Sequence, residues 1–237
     1  MNNIYSIFKK EVRSYFNSPI AYIFITLFLL LSGYFFGSTL FLQNQADLRS
    51  VFGFWVPFFL TLFVPAMTMR LIAEEKRSGT LEVLVTMPIR DSEVILGKYL
   101  AAFVLLLTAI LLTFTYPLTI SILGNADGGS IVGGYLGLIL MGASYLAIGV
   151  YISSMTENQI VAFIISLAII FALFMLDKIL MLVPSGLVSI LEYVSINNHF
   201  ANIARGVIDS RDLIYYLSLI FLGLFLATRT LASRKSA

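Results

Sequence analysis

The sequence predicts an all-α polytopic membrane protein, and three observations lead to that fold class. Hydrophobic residues make up 59% of the 237 residues and charged residues only 12%, which is far less charge than a soluble surface carries. The mean hydropathy is +0.94. Apolar runs of about twenty residues recur, and each is long enough to cross a hydrocarbon core of about 30 Å. We therefore expect a single transmembrane domain over residues 1–237.

Hydropathy predicts six transmembrane helices in this domain. The first apolar run is longer than the hydrophobic region of a signal peptide and lacks a small-residue cleavage site, so we expect it to be retained. Five glycines in the fourth span are expected to permit close helix packing, with a substrate path as the alternative. The spans are expected at about 20–42, 51–73, 99–123, 131–154, 160–182 and 213–231, and the glycines are Gly133, Gly134, Gly137, Gly142 and Gly149.

The distribution of lysine and arginine predicts the orientation of the chain. An even number of spans places both termini on one side, and the positive-inside rule selects the side. Eleven basic residues face the cytosol if the termini are cytoplasmic, and four face outward, so we expect cytoplasmic termini. The first group is Lys9, Lys10, Arg13, Arg70, Lys76, Arg77, Arg90, Lys98, Arg229, Arg234 and Lys235, and the second is Arg49, Lys178, Arg205 and Arg211.

Residues 1–18 predict an amphipathic helix that lies in the membrane interface. Apolar residues recur there at spacings of three and four, whereas Lys9, Lys10 and Arg13 fall on the other side. A small soluble core is the alternative, but so short a segment has little apolar surface to bury. The dipeptide Ser18-Pro19 is expected to break this helix and turn the chain into the bilayer.

Residues 74–98 carry a dense group of charges around a short apolar segment. Gly79 and Thr80 provide a helix start, Glu82 lies in the first turn where the helix dipole favours an anion, and Pro88 ends the helix. A short helix with one apolar face suits a groove on a soluble partner, whereas a solvated loop does not need that face. The residues of this predicted docking segment are Glu74, Glu75, Lys76, Arg77, Gly79, Thr80, Leu81, Glu82, Leu84, Val85 and Pro88.

Helix starts and an outer helical segment are predicted elsewhere. Asp91 or Ser92 is expected to cap the helix of the third span. Thr156 and Gln159 match a capping box at the start of the fifth span. Residues 184–212 mix apolar and charged residues, so we expect short interfacial or re-entrant helices there on the outer side.

Several classes of site are excluded. The only Gly-Lys pair, Gly97-Lys98, lacks the glycine spacing of a phosphate loop, so the chain is not expected to hydrolyse ATP itself. The chain has no cysteine and one histidine, His199, which we interpret as an interfacial polar residue; no metal site or catalytic residue is expected. Charged residues are scarce inside the spans, and Asp177 with Lys178 is interpreted as an interfacial helix end. No basic tract suggests nucleic-acid binding.

Between the second and third spans the sequence resembles the ABC-2 type permease family, whose members carry E-x-x-x-G-T-x-E-x-L-x-x-x-P there. The six-span plan, the N-terminal helix, the turn SSMTENQIVAF and the outer segment are also similar to that family. Within it, residues 197–216 look most like the gliding-motility-associated (GldF-like) permeases, although similar runs occur in permeases for nitrous oxide reductase maturation. The motif residues are Glu75, Gly79, Thr80, Glu82, Leu84 and Pro88, and those of the outer run are Asn198, His199, Phe200, Arg205, Gly206 and Asp209.

The resemblance implies that residues 78–88 form a coupling helix that docks on a separate ABC ATP-binding subunit. Glu74, Glu75, Lys76 and Arg77 would form the polar rim of that contact, and residues 1–18 would be the connecting helix. Two permease chains, identical or homologous, and two ATP-binding subunits are implied, in the bacterial inner membrane. This chain would bind no cofactor, because ATP and Mg²⁺ would sit on the partner subunit. The translocation path would lie between the two permeases.

Two other functions remain open on the sequence. A self-sufficient ion-coupled carrier or channel would need ionisable groups or an unwound helix at mid-membrane, and such groups are scarce. A membrane scaffold would use ATP cycles to drive an envelope machine with nothing crossing, and residues 184–212 would then bind a periplasmic or envelope protein. In each case membrane lipid surrounds the chain.

Overall fold

The computed structural model describes residues 3–42, 48, 51–80, 89–123, 127–180 and 184–233, and helices account for most of them. A π-helical segment, Val51–Trp55, leads directly into α3. The α-helices are α1 (Asn3–Phe16), α2 (Pro19–Leu42), α3 (Val56–Thr68), α4 (Ala73–Arg77), α5 (Asp91–Leu112), α6 (Thr115–Leu123), α7 (Gly128–Met155), α8 (Gln159–Ile179), α9 (Ser185–Val194), α10 (Ile196–Ala204) and α11 (Ser210–Ser233).

Six helical stretches among the described residues are long and apolar enough to cross a membrane, which confirms the six-span all-α prediction. The most apolar part of each of the second, third and fourth spans is 61% buried, against 28%, 22% and 22% for the first, fifth and sixth. The three central spans therefore form the core, and the others leave most of their apolar surface to lipid or another subunit. The spans are Pro19–Leu42, Val51–Arg77, Asp91–Leu123, Gly128–Met155, Gln159–Ile179 and Ser210–Ser233.

Helix α7 is the centre of the bundle because its glycines let neighbouring helices approach. A Cβ added at Gly142 would lie 2.6 Å from Leu106 Cδ2 of α5, and one at Gly137 would lie 2.8 Å from Phe200 Cδ2 of α10. A Cβ at Gly149 would likewise overlap the Thr68 side chain of α3. Atoms this close have no room for even one methyl group. The predicted packing role of these glycines is confirmed.

Helix α1 lies across the start of α5 and has the predicted amphipathic character. Ile7 is its buried residue, and a Cβ added at Gly97 of α5 would lie 2.8 Å from Ile7 Cγ2. Lys9, Lys10 and Arg13 are exposed on the opposite side. α1 ends at Phe16 and α2 begins at Pro19, as the Ser18-Pro19 break predicted.

The predicted outer segment forms two short helices, α9 and α10, at the other end of the bundle. The Ser130 hydroxyl at the start of α7 donates to the Ala204 carbonyl (2.9 Å), and Asn197 Nδ2 donates to Asp177 Oδ2 of α8 (2.8 Å). Gly206 follows α10 with a φ of +85°, a conformation in which glycine is favoured. α10 is thus bound to α7 and α8 rather than suspended in a loop.

Two sequence predictions about helix starts are wrong. The N-cap of α8 is Asn158 rather than Thr156, because Asn158 Oδ1 accepts from the backbone N–H of Ile160 (2.9 Å). Thr156 Oγ1 instead accepts from the N–H of Asn158 at 3.1 Å. The helix of the third span is preceded by Arg90 as N-cap, not Asp91 or Ser92. Its first turn is closed by Glu93, whose Oε2 accepts from the Arg90 N–H at 2.9 Å.

Candidate functional site

A buried ion cluster joins three helices at the end of the bundle that carries α1. Lys98 Nζ of α5 lies 3.1 Å from Glu11 Oε1 of α1 and 2.7 Å from Glu75 Oε1 of α4. The Lys98 side chain is only 3% exposed. A charged amine so deeply buried is stable only when it is paired, and here two carboxylates pair with it. The cluster therefore fixes the relative positions of α1, α4 and α5.

Local sequence explains why these three side chains meet. α5 starts at Asp91, eight residues before the predicted membrane border, so Lys98 lies on a formed helix rather than in a loop. The contact between Ile7 and Gly97 sets α1 against α5. Glu11 follows Ile7 by four residues and therefore lies on the same face of α1, pointing toward Lys98.

A serine of α7 braces the break between α3 and α4. The Ser153 hydroxyl accepts from the N–H groups of Ile72 and Ala73, both at 3.2 Å, and donates to the Met69 carbonyl at 3.2 Å. Lys76 Nζ donates to the carbonyl of Ser154. These bonds satisfy backbone groups that the interrupted helix leaves open. The end of α7 therefore holds α4 in place.

The charged residues of α4 have different surroundings, although they are adjacent in sequence. Glu74 accepts two bonds from Arg70, at 2.9 and 3.2 Å. Glu75 faces Lys98, and Lys76 is buried against α7. Arg77 is exposed. Three of the four residues expected at the rim of a partner contact thus make contacts within the chain, and Arg77 is the most exposed of the four.

An exposed turn follows α4 directly. Ser78, Gly79 and Thr80 are all exposed, and the Ser78 and Thr80 hydroxyls lie 2.9 Å apart. Gly79 has a φ of +71°, which a residue with a side chain adopts only with strain. The remaining residues of the predicted docking segment lie outside the described residues, and their docking role stays a prediction. They are Leu81, Glu82, Leu84, Val85 and Pro88.

The same end of the bundle exposes the basic face of α1. Lys9, Lys10 and Arg13 project from it, on the side away from Ile7. Burial raises the pKa of the Tyr15 phenol, and the Glu11 carboxylate raises it further. Tyr15 is therefore a neutral hydrogen-bonding group. The exposed turn and the basic face together form a polar surface held by the Lys98 cluster.

The residues of the outer segment named in the sequence analysis mainly stabilise that segment. Phe200 packs against Gly137 and is buried. The Asn198 amide donates to the Glu192 carbonyl at 3.4 Å, and Asp209 Oδ1 accepts from the N–H of Arg211 at 2.9 Å. Arg205 is exposed, and Gly206 supplies the left-handed turn after α10.

His199, interpreted from the sequence as an interfacial polar residue, is buried within the outer segment. Its Nδ1 lies 2.6 Å from Asp212 Oδ1, and its Nε2 lies 2.8 Å from the Tyr193 carbonyl oxygen. The ring stacks on Tyr215 with centroids 4.0 Å apart. Asp212, which no sequence pattern singled out, gives this histidine a polar partner inside the outer helices.

Sequence reasoning also missed Lys98, Glu11 and Ser153. The hydropathy border at residue 99 left Lys98 outside the span, where a lysine needs no partner. Glu11 did leave a signal, because it follows Ile7 by four residues and so interrupts the apolar face of α1. Ser153 left no such signal in the sequence, because serines are common near helix ends and in loops.

Comparison with protein-family models matches residues 38–233 to the ABC-2 family transporter proteins. The matched region runs from within α2 to the end of α11, and α1 lies outside it. The match is to the family as a whole and gives no support to a gliding-motility subfamily. Comparison with curated proteins gives no match.

Proposed function

The chain belongs to the ABC-2 transporter family, and we propose that it is the membrane permease of an ATP-driven transporter whose ATP-binding subunit is a separate protein. The family implies pairing with such a subunit. In this proposal the partner binds ATP and Mg²⁺ and hydrolyses the nucleotide. This chain receives the resulting motion and passes it to its spans.

The attachment of the exposed turn at residues 78–80 supports this proposal most directly. α4, which precedes the turn, is bound to α1 and α5 through Glu75 and Lys98 and to α7 through Ser153. A load applied at the turn would therefore reach several helices at once. Packed elements of this kind transmit displacement because they shift as units rather than deform. A solvated loop that only carries positive charge needs no such bracing.

The proposed complex contains two permeases and two ATP-binding subunits in the bacterial inner membrane, with the termini of this chain in the cytoplasm. In the proposal, residues 78–88 dock on the partner, and Lys9, Lys10 and Arg13 of α1 lie beside it. We propose outward transport along a path between the two permeases. The low burial of the first, fifth and sixth spans supports a second permease there, because a paired chain could cover part of that surface.

An envelope machine of the gliding-motility kind is a second candidate for what the ATP cycle drives. Ile190 and Tyr193 of α9 are each 62% exposed at the outer end. Large apolar side chains in that position suit an envelope protein as partner. In this version the permease moves a partner through α9 and α10, and no solute crosses.

Co-purification from native membranes in mild detergent, followed by mass spectrometry, tests the proposal. We expect a stoichiometric ATP-binding subunit with the wild-type chain. Arg77→Glu should weaken that complex, because Arg77 is the most exposed charged residue of α4. Glu82→Lys and Leu84→Asp should also disrupt it if residues 78–88 dock. Arg211→Glu makes the same charge reversal at the opposite end and should leave the complex intact.

Two results would contradict the proposal. One is the absence of an ATP-binding subunit from the wild-type preparation in several detergents. The other is ion-dependent flux by the purified chain alone in liposomes, which would favour a self-sufficient carrier. An outer protein that co-purifies with the ATP-binding subunit would favour the envelope-machine version.

A further inference from the structure

A cavity of about 660 Å³ lies between α1, α2, α3 and α5, beside the Lys98 cluster. Its inner part is apolar and is lined by Phe24 and Leu27 of α2, Phe63 of α3 and Leu105 of α5. Its volume is in the range of cavities that hold small organic ligands. The cavity therefore has room for a ligand segment well beyond a few water molecules.

The mouth of the cavity is charged, in contrast to its inner part. Acidic and basic side chains occur there in equal number, three of each. Lys98 is paired with two of the carboxylates and Arg70 with the third, and Lys10 supplies the third positive charge, so no excess of either sign remains. The six residues are Lys10, Arg70, Lys98, Glu11, Glu74 and Glu75.

The cavity opens sideways through the first span. Ile23 and Leu27 of α2 line it and are nevertheless 55% and 45% exposed. Pro19–Leu42 is one of the six candidate membrane spans, so that exposed surface is open to lipid in the single chain. An amphiphile could enter from the membrane with its chain among Phe24, Leu27 and Phe63 and its head group at the charged mouth.

One carboxylate that lines the mouth specifies the head group further. Glu75 Oε1 binds Lys98, but Glu75 Oε2 is buried without a hydrogen-bond partner among the described residues. A buried carboxylate oxygen without a donor is costly, and a primary ammonium supplies three N–H donors. A quaternary ammonium supplies none. The balanced charges also disfavour a head group with net negative charge.

A phosphate has a matching donor close by. Arg70 uses Nε and Nη2 to bind Glu74, at 2.9 and 3.2 Å. A guanidinium has five N–H donors, so further donors remain on the same group for a phosphate oxygen. Lys10, exposed on α1, lines the same mouth.

We propose that this cavity binds a zwitterionic membrane phospholipid with a primary amine, of the phosphatidylethanolamine class. On binding, the Glu75 side chain turns Oε2 toward the mouth to accept from the ammonium. The phosphate binds Arg70, and an acyl chain occupies the space beside Leu27 and Phe63. The site lies next to the Lys98 cluster, so an occupied cavity stiffens the junction of α1, α2 and α4. The proposal requires only that the chain is embedded in a membrane and is independent of the ATP-binding subunit.

Native mass spectrometry of the purified full-length chain tests this site, with phosphatidylethanolamine, phosphatidylcholine and phosphatidylglycerol of identical acyl chains added in turn. We expect a one-lipid adduct that is favoured with phosphatidylethanolamine. Leu27→Trp fills the cavity and should abolish the adduct. Leu30→Trp places the same ring on the same helix at a position that is 61% exposed and does not line the cavity, and it should retain the adduct.

The head-group assignment has its own variant. Glu75→Gln replaces the carboxylate by an amide of the same shape, so the preference for phosphatidylethanolamine over phosphatidylcholine should fall roughly tenfold, the equivalent of one charge-assisted hydrogen bond. Size-exclusion chromatography identifies any variant that has not folded. If Glu75→Gln does not fold, Leu27→Trp against Leu30→Trp still tests the site, and the wild-type preference among the three lipids tests the head group. Equal adducts in Leu27→Trp and Leu30→Trp would overturn the site. A preference for phosphatidylglycerol, or equal binding of all three lipids, would overturn the head-group assignment.

Discussion

Glu75 and Lys98 form a salt bridge of 2.7 Å across an interval of 23 residues. Glu75 lies just before residues 78–88, the predicted coupling helix, and Lys98 lies ten residues after Pro88. The salt bridge therefore joins α4, which precedes residues 78–88, directly to α5, which follows them. Glu11 adds a second bond to the same amine, at 3.1 Å, and brings α1 to this junction.

Lys98→Met should destabilise the chain by about 3 kcal/mol, because it leaves the carboxylates of Glu11 and Glu75 close together in a largely buried site without their cation. The thermal unfolding midpoint in detergent should fall by several degrees. The triple variant Glu11→Gln, Glu75→Gln, Lys98→Met removes the whole cluster and should recover most of that loss. A triple variant less stable than Lys98→Met would show that the charges themselves are needed.

Gly97→Ala should separate α1 from α5, because the new Cβ would lie 2.8 and 2.9 Å from two carbons of Ile7. Overpacking of this kind costs about 1–3 kcal/mol, which a shift in the thermal midpoint would report. The second change Ile7→Ala makes room and should reverse part of the effect. Gly37→Ala in α2 meets nothing within 4 Å and serves as the control. Equal stability of Gly97→Ala and Gly37→Ala would contradict the contact.

Ser153→Ala should cost more stability than Ser144→Ala, although both serines are fully buried on α7. The first change strips a partner from the N–H groups of Ile72 and Ala73, and buried donors left unpaired cost about 1–3 kcal/mol. The Ser144 hydroxyl only donates to two carbonyls, Leu140 and Tyr216. Chemical unfolding of the two variants compares them directly, and the reverse order would contradict the bracing role of Ser153.

Asp212→Asn should loosen α10, because His199 loses its charged partner at 2.6 Å. A hydrogen bond to a charged group contributes about 1.5–3 kcal/mol. Faster hydrogen exchange in residues 196–204 would report the change. Asp209→Asn is the matched control, since asparagine accepts a helix-capping bond as well as aspartate does. No difference in exchange between the two variants would show that the His199 contact contributes little.

The absence of cysteine allows a direct test of orientation. Single cysteines introduced at Ser78 and Glu157 should react with an impermeant maleimide only after the membrane is opened. Cysteines at Asp127 and Asp209 should react in intact spheroplasts. All four positions are exposed, so accessibility depends on the side of the membrane alone. The opposite labelling pattern would reverse the predicted topology.

The spans and the N-terminal helix could be predicted because they depend on properties that are local in sequence. Twenty apolar residues in a row form a spanning helix whatever packs against them, and the glycines of α7 indicate close packing by their size alone. The spacing of Ile4, Ile7 and Phe8 likewise indicates the helical face of α1 without reference to α5. These elements were therefore predictable before any contact was known.

The ion cluster could not be predicted, because it depends on contacts between distant residues. Nothing near Lys98 in the sequence shows that Glu11, 87 residues away, is its partner. The same holds for Ser153 and for the pair of His199 and Asp212, where only the fold brings donor and acceptor together. The prediction of the α8 N-cap was wrong for a different reason: Thr156 and Asn158 are both favourable N-cap residues and lie only two positions apart.

The spans differ in burial, and the structure therefore restricts substitutions in some spans more than in others. At outward positions of α2, α8 and α11, exchanging one apolar side chain for another changes little as long as the neighbour is fluid lipid. In α7, a methyl group gained at Gly142 or Gly149 displaces another helix. Related sequences should therefore differ most at the outward positions of α2, α8 and α11 and least along α7. A set of outward positions that varies little would mark the contact surface of a second protein.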